Sequence, residues 1–283
     1  MSTPTKAGTG KEELSISTQS FDFFQKLIYD RIGVQLDGKA YLVESRLQPM
    51  LRKHKVSDVN ALIDKIKGGD RPLTEEAVEA MTTNETSFFR DIHPFETLAK
   101  EVLPPIFAQK GGDKVRIWNG ACSSGQESYT LAIVLHEHFR SQVQSGRIEI
   151  ISTDVSPEMV KRTRDGIYSR FEINRGLPPE MSNKYFDTQG RQWQAKASLR
   201  DMIKTSELNL LSKWNDIPRC DLVLLRNVLI YFSPQTKAEI LRKIRTDVLL
   251  PGGCLMLGAS ESTAGIDSAY QSRKVGKTVL YYP

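Results

Sequence analysis

From Val115 onward, short apolar runs alternate with helix-start signals, and no other feature narrows the fold of this chain so far. Residues 115–118 read as a strand, 126–139 as a long helix, and 148–151 as a second strand ending at Asp154. Ser156-Pro157-Glu158 then opens a helix, with serine as N-cap and proline at the first helical position. A further apolar run, 220–225, precedes the same start signal at Ser233-Pro234, which predicts a helix reaching about residue 250. Pro251-Gly252-Gly253 turns the chain into a strand over 254–257, and 274–282 alternates as one terminal strand, antiparallel to the rest. Strands separated by helices argue for a doubly wound α/β domain on a mostly parallel sheet. One segment breaks the rhythm. Over about 186–208, Gln189-Gly190-Arg191, Trp193 and short alternations predict a small β-subdomain insert.

Upstream, apolar residues fall at helical spacing: Phe21, Phe24, Leu27 and Ile28, then Leu42, Val43, Leu47, Met50 and Leu51, then Leu62, Ile63 and Ile66. They predict an N-terminal all-helical domain over 18–92, after a flexible tail over 1–17 and before the α/β domain over 93–283. Lys39, Arg46 and Lys53 recur every seven residues on the second helix and line up as a stripe. Most such stripes are solvated faces; this one is also a candidate surface for an acidic substrate.

The net charge of +5 mildly favours acidic partners and leaves nucleic acid, a membrane surface and acidic protein side chains all compatible. Cys122, Cys220 and Cys254 form no CxxC pair, which suits reduced, buried thiols in a cytoplasmic protein. The most apolar stretch, 222–230, is broken by Arg226 and Asn227 and is too short to span a bilayer. His136 and His138 sit two apart on a predicted helix and face different ways, so no metal site is expected there.

At the seam between the two predicted domains, 82–90 reads Thr-Thr-Asn-Glu-Thr-Ser-Phe-Phe-Arg. Hydroxyls and amides followed by two rings and a cation look like one wall of a ligand site. The competing reading is a helix cap with the Phe88-Phe89 pair stapled to the core. Downstream, Asn119-Gly120-Ala121-Cys122-Ser123-Ser124-Gly125-Gln126-Glu127 leaves the first strand at the edge where open α/β sheets bind ligands. The loop is neither a G-x-G-x-x-G fingerprint nor a P-loop, so a dinucleotide or ATP is not expected. Asp154 at the tip of the second strand has the geometry to accept two bonds from a ribose diol, or else to cap the helix after it. Arg226-Asn227 end the 220–225 run at the same edge, where burial demands a ligand or a network, and Tyr231 follows. Three strand ends converging on one edge, with an acidic tip and no phosphate loop, suit an S-adenosylmethionine methyltransferase.

Taken in order, 82–90, 120–129, Ser152-Thr153-Asp154, Asn209-Leu210-Leu211, Arg226-Asn227-Val228-Leu229-Ile230-Tyr231-Phe232 and Gly258-Ala259-Ser260-Glu261 resemble the CheR-type chemotaxis receptor methyltransferases. The resemblance runs over most of the chain from about residue 21 and includes the helical domain. It implies a Rossmann-like methyltransferase domain binding S-adenosylmethionine and its product S-adenosylhomocysteine without a metal. It implies transfer of methyl groups to glutamates on chemoreceptor cytoplasmic helices, by a cytoplasmic enzyme recruited to receptor arrays at the inner membrane. Asn84, Thr86, Arg90, Gly120, Glu127, Asp154, Asn209, Leu210, Arg226 and Asn227 would form the cofactor pocket. Arg90 and Tyr231 would stand nearest the reacting carboxylate. In some members the β-subdomain docks a receptor-tail peptide, and nothing in this insert decides that role. The rival readings are a methyltransferase of nucleic acid or a small molecule, and a non-catalytic S-adenosylmethionine-binding regulator. Against the first, no aromatic-plus-basic tract suits flipped bases, so nucleic acid is not the expected partner.

Overall fold

A computed structural model describes residues 16–283, and the chain divides into two compact units, one ending at Thr82 and one beginning at Thr83. The division falls ten residues before the expected boundary at 92, so the run 83–90 belongs to the larger unit. Residues 1–15 of the predicted tail lie outside the described residues. Its last two positions are structured: Ile16 is buried with its N–H donating to Glu44, and Ser17 caps the first helix.

The smaller unit packs α1 (Thr18–Ile32), α2 (Ala40–His54), α3 (Val59–Lys67) and α4 (Arg71–Ala80). Asp58 and Asp70 start α3 and α4 by accepting from the Ala61 and Leu73 N–H groups. The helical spacing read from sequence becomes the buried face: Phe24 and Ile28 on α1, Val43 and Leu47 on α2, Leu62 and Ile63 on α3. Each such side chain contributes about 1.5–3 kcal/mol of burial. The stripe on α2 is not uniform. Lys39 sits exposed at its start and donates to the Gln35 carbonyl, and Lys53 pairs with Glu76. Arg46 is half-buried and donates to the carbonyls of Met81 and Thr82, beyond the end of α4. Carbonyls at a helix end lack intrahelical partners, so Arg46 is a structural clamp between α2 and α4.

In the larger unit, α5 (His93–Thr97) passes through a π-turn over Leu98–Val102 into α6 (Leu103–Lys110). Then come β1 (Val115–Gly120), α7 (Gln126–His138), α8 (Arg140–Gln144), β2 (Ile148–Asp154) and α9 (Pro157–Asp165). An excursion follows: β3 (Ile167–Ser169), α10 (Arg170–Asn174), α11 (Pro179–Tyr185), β4 (Phe186–Gln189) and β5 (Gln192–Ala195). The chain returns through α12 (Ala197–Arg200) to β6 (Ile203–Glu207) and β7 (Cys220–Leu225). It ends with α13 (Pro234–Lys243), β8 (Leu249–Leu257), β9 (Gln271–Val275) and β10 (Thr278–Tyr282). The main sheet has the order β6-β2-β1-β7-β8-β10-β9, parallel as far as β8 and antiparallel beyond it. Side chains alternate between its faces: Leu222 and Leu224 join one apolar cluster, Val223 and Leu225 the other.

Three expectations are corrected. The insert is the three-stranded sheet β3-β5-β4, beginning near 167, and 203–207 is instead a strand of the main sheet paired parallel with β2. Helical backbone runs on past α13 to Val248, close to the expected end, but the strand then starts at Leu249 and not at 254. Pro251-Gly252-Gly253 is a bulge inside β8, where the register slips between Cys220↔Leu249 and Leu222↔Cys254. The single terminal strand is a hairpin, β9–β10. All three cysteines are free and buried, and burial pushes the Cys220 and Cys254 thiols up to about 12.

Candidate active site

The parallel strands β1, β2, β6, β7 and β8 open their carboxyl ends on one sheet edge, and nearly every residue expected at the site leaves from that edge or packs on it. Gly120 ends β1. A Cβ there would lie 2.9 Å from Leu225 Cδ1, so a larger residue would require that side chain to move aside. The loop beyond turns tightly through three left-handed residues, Ala121, Ser123 and Gly125, with φ of 57°, 51° and 92°. Two of these are not glycine, so the loop stores strain that its bonds must hold. Ser123 supplies them. Its N–H donates to Asp154 Oδ2 at 2.7 Å, and its hydroxyl donates to the Asn84 carbonyl at 2.8 Å.

Asp154 is therefore both things the sequence left open. Its Oδ1 accepts from the Ser156 N–H at 3.0 Å, which ties the start of α9, while Ser156 itself caps that helix. A carboxylate has about four acceptor sites, so capacity remains for a ligand hydroxyl. Burial pushes its carboxyl above the ordinary range, against the lowering effect of the Ser156, Ser123 and Val155 N–H groups. Leu208 N–H donates to the Asp154 carbonyl, which sets Asn209 and Leu210 just past the tip of the neighbouring strand. Asn209 Oδ1 accepts from the Leu211 N–H, and Leu210 is buried in the apolar cluster with Trp118 and Trp214.

Arg226, just past the end of β7, closes a network rather than standing open. Its side chain is 1% exposed and pairs with Asp91 at 2.7 Å and with Glu127 on α7. Its Nη2 also donates to the Arg90 carbonyl at 3.3 Å, and the guanidinium lies over the Phe95 ring. One buried cation thus holds the seam, α7 and β7 together. Burial raises the Glu127 carboxyl more than Arg226 lowers it. Asn227 follows in the left-handed region with φ of 60°, and its N–H donates to Glu261 Oε2 at 2.7 Å. Glu261 also accepts from the Gly258 and Leu229 N–H groups, so it fixes the turn that carries Tyr231. Tyr231 is half-buried, and its hydroxyl makes no hydrogen bond among the described residues.

The seam divides its work. Phe88 is buried edge-on against Tyr168 and Phe186, as the competing core reading has it, and Phe232 is buried in the opposite apolar cluster. Phe89 donates its N–H to Thr130 Oγ1 and packs on Phe95. Arg90 and Thr86 are half-buried, with an Arg90 Nη1 bond of 3.3 Å to the Glu85 carbonyl. The ion pairs with Glu127 and Asp91 are made by Arg226 and not by Arg90. Sequence reasoning assigned no role to Asp91, Ser123 or Glu261. Ser123 and Glu261 lay inside quoted motifs, the 119–127 loop and Gly258-Ala259-Ser260-Glu261, whereas Asp91 carried no signal. Lys39, Arg46 and Lys53 lie in the helical unit. Among the described residues no group of His, Cys, Asp and Glu is placed to hold a metal.

A strained loop, a buried carboxylate at the tip of β2 and a second carboxylate on α7 thus meet at one sheet edge, and the comparisons name the family. The family model described as CheR methyltransferase, SAM binding domain, matches residues 84–279, and the CheR methyltransferase all-alpha domain matches 19–82. The chain is 37% identical to chemotaxis protein methyltransferase 1 of Pseudomonas aeruginosa, over 95% of this chain and 99% of that protein. It is 38% identical to chemotaxis protein methyltransferase Cher2 of Pseudomonas putida, over 94% and 99%. With the chemotaxis protein methyltransferase of Escherichia coli it shares 30% identity, over 95% and 92%. The chain belongs to the CheR methyltransferase family, carrying the family's all-alpha domain followed by its S-adenosylmethionine-binding methyltransferase domain.

Proposed function

We propose that this methyltransferase acts on glutamate side chains of chemoreceptor cytoplasmic helices, at receptor arrays on the inner membrane. The observation that carries the reading is how the two site arginines are used. Arg226 is consumed by Asp91 and Glu127, whereas Arg90 is half-buried with a single long bond, and Tyr231 keeps an unengaged hydroxyl. A cation and a phenol left available at the ligand edge suit an acceptor that is itself an anion.

Bound S-adenosylmethionine supplies an electrophilic methyl group on a sulfonium sulfur. Asp154 would hold the ribose diol, Asn209 and Leu210 would flank the adenine, and Asn84, Thr86, Glu127 and Asn227 would line the remainder. A glutamate carboxylate, with a pKa near ~4.3, is already ionised at neutral pH, so no base is needed. Arg90 and Tyr231 then act by aligning it. Orientation of this kind contributes on the order of 7 kcal/mol or more in favourable cases. Tight pairing would stabilise the ground state equally, so Arg90 helps through geometry. Transfer of labelled methyl from S-adenosylmethionine to a receptor cytoplasmic fragment, with nucleic acid as control, tests the assignment. Label appearing as a base-labile ester on the fragment is expected; label on nucleic acid alone, or none, overturns it.

The stripe on α2 gives a second expected result. Lys39→Glu with Lys53→Glu should raise the KM for receptor and leave cofactor affinity alone, because exposed charges that meet a partner act mainly on encounter and are screened over about 8–10 Å. Arg46→Ala should instead lower the stability of the helical unit by about 1–3 kcal/mol, through two unpaired carbonyls. Wild-type KM across a salt series in the double reversal would reduce the stripe to a solvated face.

A further inference from the structure

The hairpin β9–β10 reaches the ligand edge of the sheet, although neither strand carries a residue of the site described above. β10 runs antiparallel to β8 with Tyr281 opposite Leu255 and Leu280 opposite Met256. The start of β10 therefore lies beside the carboxyl end of β8, and the turn Gly276-Lys277 projects at the edge from which Arg226 and Asp154 emerge. Lys277, Thr278, Val279 and Tyr281 form one wall of a 140 Å³ cavity whose other walls include Asp91, Arg226 and Glu261. A water occupies about 30 Å³, so this space takes a single side chain and not a helix. A partner helix would lie across the mouth.

The charge of the hairpin is one-sided. From 268 to 283 the chain holds Arg273, Lys274 and Lys277 and no carboxylate. Arg273 stacks on the Tyr282 ring at 4.8 Å. Lys274 and Lys277 are exposed and ion-pair with nothing among the described residues. Lys274 stands directly opposite Val279, so both side chains leave the same face, and Val279 lines the cavity. Val279 and Ile92 are exposed apolar residues at 40% and 60%, and Ile92 lies between two further wall residues, Asp91 and His93. Lysine on an edge strand also deters unwanted strand pairing, which would account for Lys274 but not for Lys277 in the turn.

We propose that the terminal hairpin is a docking element for the acidic helix bearing the acceptor glutamate, with Lys274 and Lys277 meeting carboxylates that flank it and Val279 and Ile92 meeting its apolar side. This rests on the receptor-glutamate reading above. The full-length protein with Lys274→Glu and Lys277→Glu should show a roughly tenfold higher KM for a soluble receptor cytoplasmic fragment, with kcat and S-adenosylhomocysteine affinity within about twofold of wild type. The variant Lys274→Arg with Lys277→Arg should behave as wild type. On a fragment whose carboxylates one helical turn either side of the acceptor are changed to glutamine, the difference between wild type and the glutamate variant should vanish. If wild type methylates the fragment and the charge-reversed protein has the same KM across a salt series, the docking role is wrong and the enzymatic reading stands. If wild type transfers nothing to the fragment, both fall together.

Discussion

Arg226→Ala will remove about 3–5 kcal/mol of folding stability, because it leaves Glu127, 12% exposed, without the cation it was buried against. Asp91, at 34% exposed, recovers part of its hydration and contributes less. Denaturant unfolding should show a lower midpoint with an unchanged slope. Arg226→Lys should recover only part of the loss, since an ammonium lacks the planar fork that reaches Asp91 and Glu127 at once. Losing the cation also releases the seam, where Phe89, Asp91 and Ile92 hold positive φ of 47°, 69° and 47°. Backbone of that kind persists only where its surroundings fix it. An Arg226→Ala protein as stable as wild type would mean that the network is incidental.

Asp154→Ala will weaken S-adenosylhomocysteine binding at least tenfold, corresponding to a loss of about 1.5–3 kcal/mol for hydrogen bonds to a charged acceptor. It should also loosen the 121–125 loop, which loses the acceptor for the Ser123 N–H. Calorimetry with unchanged affinity would remove Asp154 from the site. The pH dependence follows from the raised carboxyl. A diol donates to the ionised form, so affinity is complete above the Asp154 pKa and is lost as pH falls through it. Burial places that loss at higher pH than the ordinary carboxylate value of 3.8. A calorimetric series should therefore show affinity declining well before ordinary carboxylates titrate, and the decline should disappear in Asp154→Ala.

How much of this was legible depended on where each residue's partners lie. The central strands could be read because they are covered on both faces and appear as unbroken apolar runs, as at 220–225. β6 escaped because it is an edge strand, with Ile203 and Thr205 only half-buried, and so it resembled the insert. β3 is three residues long, too short to show a period. Gly120, Asp154 and Arg226 stood out since each ends a strand. Asp91 did not, because its partner Arg226 is 135 residues away and a lone carboxylate after Arg90 has no pattern. Glu261 was visible as part of a motif, yet its role rests on three backbone N–H groups that no sequence displays. Phe88 had two readings, and only its contacts with Tyr168 and Phe186 chose the core.

The excursion between α9 and α12 starts and finishes on the same hydrogen bond, where the Ala195 N–H meets the Gly166 carbonyl at 2.8 Å. Entry and exit are adjacent, so the parallel neighbours β2 and β6 pair without sensing how much chain runs between them. The excursion is nevertheless tied to its host at several points: Tyr168 and Phe186 cover Phe88 and Tyr129, the Tyr168 hydroxyl donates to the Ser124 carbonyl, and Lys184 and Tyr185 bind Glu137 on α7. Length changes at the exposed Gly190-Arg191 turn would therefore leave both sheets intact, whereas replacing the whole excursion would have to preserve each of those ties.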